Sequence, residues 1–597
     1  MGLLKTFLCF AAVAITAPAF AVADAQLPPP GSDAAFDPAP MRVALTGVAL
    51  LDSARRAQRE FELFRRRNLP DYNTSGSNGP SNADEMERIG RFIYWYDTTA
   101  DPPPPEPKVI GAEREKLIAL LDSAATKYPS DDWVAGQRVR YLEEARRVDD
   151  EVAAARACGG APWWCAVLTG FALHDARQYV RADSAFQAGL SLMAPRLRCD
   201  WTDVGILLDD YTRRTYRRMP CGSAEREQYE ARLFWLSKPL YGRAGIDTRT
   251  EFYARMTMTH MLQNAISTHM FGFDPDEREL LLRYGWPRAW STSGGRGRGN
   301  EGGGTTGHEP SPSYQLLPPA ALASSPASSD SVDWEIGVKP VHARYAPAYA
   351  RRIRQLHHQS ALFRRGDSSL VVLAWDVTGD KLGGTGATEM TVALARGDSL
   401  KPVISRTPNA PLRGSMLAKG PWGQLVMSAE FTRADADTAV RARYGLRPPW
   451  SIGARVSLSE MLFFAPYDGL PETVEEAAKH ATTSIKLRNN QKLGVFFETY
   501  GTKPEGEKLK YTLTVAREDA EEGFMRRRIQ AISPSRQATP LSITHEDISL
   551  PGAKVTARAF YLDVTQLKKG AYIVQLEVDV AGQYLVISER SLEIVDK

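Results

Sequence analysis

The chain has 597 residues, 43% hydrophobic and 24% charged, with 74 Lys+Arg against 71 Asp+Glu and a formal net charge of +3. At roughly 100 to 200 residues per domain, this length calls for about three to five domains and excludes a single core. The ordinary composition excludes a chain that is disordered or fibrous throughout. The near-neutral balance argues against a dedicated nucleic-acid binder, which needs many unopposed phosphate contacts.

Residues 1–21 read as a secretory signal peptide, with one charge at Lys5, an apolar run from Thr6 to Ile15 and alternating alanines Ala19, Ala21, Ala23 and Ala25. The cut is placed after Ala21, and a Pro-rich leader occupies 22–40. The apolar run is too short to span a bilayer, and no later segment reaches about 18 consecutive apolar residues, so no transmembrane anchor is expected after cleavage. The expected location is the periplasm or the cell surface.

Cysteine usage agrees with export. Beyond the leader the sequence holds Cys158, Cys165, Cys199 and Cys221, an even number suited to an oxidising compartment. Three pairings are open. Cys158 with Cys165 and Cys199 with Cys221 are favoured, because each pair brackets a loop or helix end. No C-x-x-C occurs and His174 is not at finger-like spacing, which disfavours a metal or redox centre.

Residues 41–290 read mainly as helix. Pro129, Pro162 and Pro195 recur every 33 residues, close to the period of tetratricopeptide-like helix-turn-helix repeats. Gly170, Ala182 and Phe186 stand at the spacing of small helix-contact residues and a bulky plug. Trp163, Trp164 and Trp201 are expected in the core. Residues 291–330 are rich in Gly, Ser and Pro and read as a flexible linker. Gly297, Gly299 and Gly302 match G-x-G-x-x-G there without the βαβ context that dinucleotide binding requires, so no cofactor is expected.

Tyr349–Gly366 reads as helix, after which the period changes. Short β-branched and aromatic runs such as Ser369–Thr378 alternate with turns. Leu509, Tyr511, Leu513 and Val515, and then Tyr572, Val574, Leu576 and Val578, show clean period two. The fold class is therefore α then β: a helical-repeat domain followed by two antiparallel, immunoglobulin-like β-sandwiches at 331–455 and 456–597.

One segment carries a family resemblance. Gly272-Phe273-Asp274-Pro275-Asp276, followed by Arg283-Tyr284-Gly285-Trp286-Pro287, resembles the motif region of the GWxTD-domain family, with Phe273 in place of Trp and Pro275 in place of Thr. Gly272 and Asp276 match the motif ends, and Arg283, Tyr284, Gly285 and Pro287 match a turn that follows an apolar strand. Phe234 to Pro239, Tyr253 to Arg255 and Leu493 to Gly501 look like further parts of that family. The resemblance implies an exported bacterial protein of undetermined function. By their chemistry Gly285 suits a turn with positive φ, and Tyr284 and Phe273 suit a helix–sheet contact.

Motifs of chemistry are sparse. G-x-S-x-G, H-E-x-x-H and the phosphate loop G-x-x-x-x-G-K-[ST] do not occur. His357 and His358 sit side by side on the expected helix, His308 lies in the linker, and His260 and His269 fall on opposite sides of a Met-rich helix. None forms a metal site, and no catalytic residue is assigned. Asp131/Asp132, Asp149/Asp150 and Asp209/Asp210 read as caps or solvated faces. Arg65 to Arg67, Arg213/Arg214 with Arg217/Arg218, and Arg526 to Arg528 read as surface stripes, with anionic envelope polymers or lipid head groups as the alternative partners. The expected function is a non-catalytic scaffold for protein or glycan partners. Its rivals are an enzyme with a site between the helical domain and the first sandwich, and a structural spacer.

Overall fold

The computed structural model describes residues 39–72, 83–97, 99–270, 272–293, 304–308, 314–315, 318, 320–334, 342–397, 399, 401–449, 455–488, 492–518 and 541–595. The signal peptide and nearly all of the leader lie outside them. Two compact units are present, Met1–Leu50 and Leu51–Lys597. In the first, the described residues are the opening turns of helix α1 (Ala39–Asn68).

The second unit begins with the rest of α1 and a hairpin, β1 (Glu85–Ile89) and β2 (Phe92–Tyr96), that the helical reading of 41–290 did not anticipate. Five residues per strand, turned by Gly90 at φ +54°, are too short to register as a change of period. Helices follow: α2 (Lys108–Lys127), α3 (Asp132–Glu144), α4 (Val148–Arg156), α5 (Pro162–Asp175), α6 (Tyr179–Leu192), α7 (Pro195–Thr202), α8 (Asp210–Tyr216), α9 (Ala224–Leu236), α10 (Asp247–Gln263) and α11 (Pro275–Tyr284). The 33-residue proline period has a local cause. Pro162 and Pro195 occupy the first position of α5 and α7, where the missing N–H costs nothing. Pro129 lies just ahead of Asp131, which caps α3 by accepting from Val134 N at 2.9 Å.

Helices α3/α4 and α5/α6 form two hairpins with the same turn chemistry. In the first, N–H groups of Ala145, Arg146 and Arg147 donate to the carbonyls of Tyr141, Glu143 and Leu142; in the second, Ala176, Arg177 and Gln178 donate to Ala172, His174 and Leu173. Both are Schellman closures, and both place an arginine, Arg146 or Arg177, at φ 59° where glycine is usual. Gly170 on α5 faces Phe186 on α6, and a Cβ there would come within 2.7 Å of the ring. Arg177 is exposed and holds this left-handed conformation without the freedom glycine has there. Arg177→Gly is expected to raise the unfolding free energy by about 1 kcal/mol, measured by urea denaturation. A variant no more stable than the parent would mean that this turn is unstrained.

Part of the 291–330 segment is ordered rather than linking. β3 (Ala289–Ser293) pairs with β4 (Gly304–His308), and β5 (Tyr314–Gln315) pairs with β6 (Arg344–Tyr345). Ser291 and His308 are buried and bond to each other at 2.6 Å. A short helix α12 (Ala320–Ser324) follows, and Pro326 and Ala327 are buried. Docking of these backbone groups offsets the ordering entropy that composition alone could not.

The expected helix at Tyr349–Gly366 is instead β7 (Arg352–Gln355) and β8 (His357–Arg365). A five-stranded sheet, β11-β10-β13-β14-β7, faces a three-stranded sheet, β12-β9-β8, with β9 (Ser368–Asp376), β10 (Thr388–Arg396), β11 (Val403–Pro408), β12 (Arg413–Pro421), β13 (Leu425–Arg433) and β14 (Thr438–Leu446). Val371, Leu373 and Trp375 of β9 point into that sandwich. Alternate residues Leu370 and Val372 point the other way and pack, with Ala361 and Phe363, on Leu462, Phe464 and Phe496. Strands β8 and β9 are thus buried on both faces along most of their length, whereas the edge strand β12 keeps Leu417 and Lys419 exposed. β9 reads as a near-continuous apolar run for that reason, while the polar ends of β8 carry the spacing that reads as a helix.

The remaining elements are β15 (Ser457–Leu458), β16 (Leu462–Phe464), α13 (Val474–Lys479), β17 (Lys486–Arg488), β18 (Lys492–Tyr500), β19 (Lys508–Arg517), β20 (Leu541–Ile548), β21 (Val555–Asp563), β22 (Gly570–Asp579) and β23 (Val586–Val595). They form one sheet around β18 and a five-stranded sheet, β17-β23-β22-β19-β20. Leu509, Tyr511, Leu513, Val515, Tyr572, Val574, Leu576 and Val578 all enter the core between them, as their alternation predicts.

Candidate functional site

The segment Gly272–Pro287 does not run into a strand. Asp274 accepts from Glu277 N at 2.9 Å, Pro275 takes the first helical position, and α11 results. Gly272 is exposed and Phe273 half-buried. Gly272 O accepts from the Arg91 guanidinium at 3.4 Å, and Asp276 accepts from Arg91 N at 3.2 Å, so the motif's first half holds the β1–β2 turn. Gly90 is needed there, because a Cβ would overlap the Asp276 carboxylate. In the second half, Tyr284 stacks on Tyr94 of β2 with centroids 3.5 Å apart, and its hydroxyl donates to Glu87 at 2.6 Å. Arg283 bridges Glu279 at 3.1 Å and donates to His342 O at 2.6 Å. Gly285 ends the helix at φ +88°, the turn expected of it. Trp286 packs near Phe171, and Pro287 packs against Gly307 of β4.

Behind this turn lies a buried polar chain. Arg255 of α10 donates to the carbonyls of Leu282 and Arg283 at 2.9 Å each and of Arg344 at 2.7 Å, while its Nε meets Glu251 at 2.6 Å. Glu251 also meets His174 Nε2 at 2.9 Å, and His174 Nδ1 meets Thr250 at 2.9 Å. Burial alone would push the Glu251 carboxyl up. Arg255 and His174 outweigh it and hold the group at about 2. Arg288 continues the chain to Glu143 at 3.0 Å and Asp175 at 3.3 Å. Next to these, the Glu151 carboxyl is fully buried and pushed well above its ordinary value by burial and by Asp175 and Glu143. The chain ties α3, α5, α10, α11 and the 344 segment together, with its charges turned inward.

Glu277, one turn into α11, behaves differently. Burial raises its carboxyl to about 7, beside Ser267, Arg91, Asp274 and Arg140. A raised acid binds more protons folded than unfolded, so its stabilisation is full at low pH and is lost as pH rises from about 4.5 through 7. Glu277→Gln is expected to leave stability at pH 4.5 nearly unchanged and to raise it at pH 8 by about 2 kcal/mol. Identical pH profiles for the two proteins, followed by urea unfolding, would refute this titration.

The helical region meets the first sandwich through the loop after α9, the Phe234–Pro239 segment singled out by the resemblance. Arg443 of β14 donates to the carbonyls of Leu236, Lys238 and Pro239 at 3.2, 2.9 and 3.1 Å, and its guanidinium lies 3.6 Å from the Tyr241 ring centroid. Arg441 donates to Pro239 O at 2.8 Å, and Glu430 accepts from the backbone N–H of Tyr241 and Gly242 at 2.6 and 2.9 Å. These contacts lie at the junction between the helical region and the first sandwich. Within the first sandwich Tyr444 OH contacts His358 and Ser360 at 2.8 Å each, and Arg590 of β23 joins the two β parts by donating to Ser360 O at 2.8 Å as well as to Met461 O of its own part.

Other sequence-marked residues separate. Both favoured cysteine pairings are present, Cys158–Cys165 and Cys199–Cys221. Trp164 and Trp201 are buried and Trp163 packs beside them, with His260 against all three rings. His269 lies beyond the end of α10 and packs on Phe92 and Trp290. His357 is exposed and His358 half-buried, on a strand rather than a helix. Arg65 is no surface residue: it is fully buried with Glu62 and Glu144, because α3 supplies its counter-charge. Arg213 is spent on the carbonyls of Gly205 and Leu208, and Arg526 to Arg528 lie outside the described residues. Asp131 and Asp209 are N-caps, as expected. Among the described residues no group of three or more His, Cys, Asp or Glu is placed to hold a metal ion, and no helix is long and apolar enough to cross a membrane.

A concavity lies on the helices. A groove of about 390 Å³ between α1 and α2 is walled by Phe61, Leu63, Phe64, Leu117 and Leu120 and rimmed by Glu60, Arg67, Glu113 and Lys116. No spacing in the sequence marked it, since its two walls come from helices separated by the β1–β2 hairpin.

No family model and no curated protein matches the chain. Among solved structures it is similar to a red sea bream transglutaminase at 11% identity and TM-score 0.13, over 41% of this chain and 32% of that one. A Bacteroides uniformis β-glucuronidase gives 10% and 0.16, over 38% and 26%. A bacterial ice-binding adhesin gives 9% and 0.12, over 39% and 59%. The chain spans less than two thirds of each, and likenesses this faint carry no functional argument.

Proposed function

We propose that the protein is an exported, non-catalytic envelope scaffold related to the GWxTD-domain family. In this reading the α3/α4 and α5/α6 hairpins are degenerate tetratricopeptide-like repeats, and the two β parts are immunoglobulin-like modules. The repeated Schellman turns and the Gly170–Phe186 contact support the first assignment.

The observation that carries the function is the α1/α2 groove, with apolar walls and a rim of both charges. An amphipathic helix of a partner protein suits it, because such a helix seats apolar side chains at i, i+3 and i+4 and keeps charged flanks at the rim. The motif and its buried chain then serve to hold the helices rigidly to the β modules. The test is a photo-crosslinking residue at Leu120, in cells exporting the chain. One discrete adduct, mapped to a helical segment of the partner and abolished by Phe64→Glu, is the expected result. A smear of adducts, or one insensitive to Phe64→Glu, would remove the reading.

A further inference from the structure

The end of the second β part presents a set of exposed apolar side chains. Tyr584 is 74% exposed, Leu550 69%, Ile548 66% and Leu585 49%. They come from two connections, one between β20 and β21 and one between β22 and β23. A single brace joins both to the loop after β18. Glu507 bonds Arg455 at 2.5 Å, its N–H donates to Ser549 Oγ at 2.9 Å, and Gln583 reaches it at 3.5 Å. The Gln583 side chain in turn accepts from the N–H groups of Arg455 and Val456 at 3.0 and 3.1 Å. The side chains therefore stand on one fixed tip. Gly506, Gly552 and Gly582, at φ +93°, +75° and +77°, make the turns tight, and Pro504 and Pro551 stiffen them.

We propose that this tip inserts shallowly into an anionic phospholipid surface. Side chains this exposed project outward, and a bilayer interface takes up single leucines and amphipathic tyrosine rings directly. The charge supports the same occupant. Exposed Lys503 and Lys554 flank the apolar residues, against exposed Glu505; of the other charges at this end, Lys508 bonds Glu546, Lys510 stands across from Asp579 and Glu507 bonds Arg455. Two lysines beside an inserted apolar tip are placed to meet lipid phosphates. The tip lies apart from the α1/α2 groove, so the inference does not depend on the partner reading.

The test is co-sedimentation of the full chain with phosphatidylglycerol/phosphatidylethanolamine vesicles in 0.1 M salt. It compares the parent, Leu550→Ser with Tyr584→Ser, and Lys503→Glu with Lys554→Glu. All three carry the same N-terminal segment, so differences report the tip, and matched thermal unfolding curves show that each is folded. Each pair of substitutions is expected to raise the lipid concentration for half-binding at least tenfold, and zwitterionic vesicles should bind the parent more weakly. Failure of the parent to pellet, or pelleting of the Leu550/Tyr584 variant like the parent, would overturn the proposal. So would a parent dimer that this variant dissociates, since the tip would then be a contact between copies.

Discussion

Arg255→Met is expected to lower the unfolding free energy by about 4 kcal/mol, because it leaves one buried carboxylate and three backbone carbonyls without their cation. Methionine has a similar reach and keeps the packing, so the loss reports hydrogen bonds and charge rather than a cavity. Two of the carbonyls, those of Leu282 and Arg283, lie at the end of α11, where no intrahelical donor remains. Arg255→Lys should cost about 2 kcal/mol, since one ammonium cannot reproduce the guanidinium fork. The pH dependence separates the contributions. Glu251 is held at about 2 in the parent, so its stabilisation is present above the usual carboxylate value and fades as pH falls toward 2. Without Arg255 that contribution vanishes, and the deficit of the variant should narrow as pH is lowered from 6 to 3. A deficit under 1 kcal/mol at pH 7, or one that does not change with pH, would show that Arg255 is dispensable to the junction.

Removing the Cys199–Cys221 bridge by paired serine substitution is expected to cost about 3 kcal/mol, against about 2 kcal/mol for Cys158–Cys165. The sequence separations are 22 and 7, and the longer loop regains more entropy in the unfolded chain. The Cys199–Cys221 bridge also closes the segment in which Tyr216 is anchored by its hydroxyl to Glu230 at 2.6 Å, so loosening there should reach α9. Urea unfolding of both double variants, with peptide mapping of the non-reduced parent, checks the order and the pairing. Equal losses, or a larger one for the short loop, would contradict a mechanism acting through loop closure.

Local chemistry was legible wherever a few neighbouring residues decide the outcome. Asp131, Asp209, Pro162 and Pro195 start helices, Gly285 ends one, and strict alternation from Leu509 to Val515 builds a strand, because caps, turns and pleats are settled within a few residues of chain. The favoured cysteine pairings rest on the same short range, and the structure selects them from the three that were open. Where a segment's neighbours lie far off, the pattern misleads. Tyr349–Gly366 carries the spacing of a helix yet becomes β7 and β8, since pairing with β9 and β14 satisfies its backbone. Part of the Gly- and Ser-rich stretch becomes β3 and β4 for an equivalent reason.

The sequence by itself determined the order α then β, the capped helix starts and the core faces of the late strands, and it favoured the two bridges while leaving three pairings open. Only the tertiary structure decided which charges are buried. Arg65, Arg255, Arg344 and Arg443 look like surface residues in any window of sequence. Each is buried because acids and carbonyls far along the chain meet it, as Glu85 meets Arg344 across 259 residues. A charge leaves water only when its partners are already in place, and that condition belongs to the folded chain as a whole.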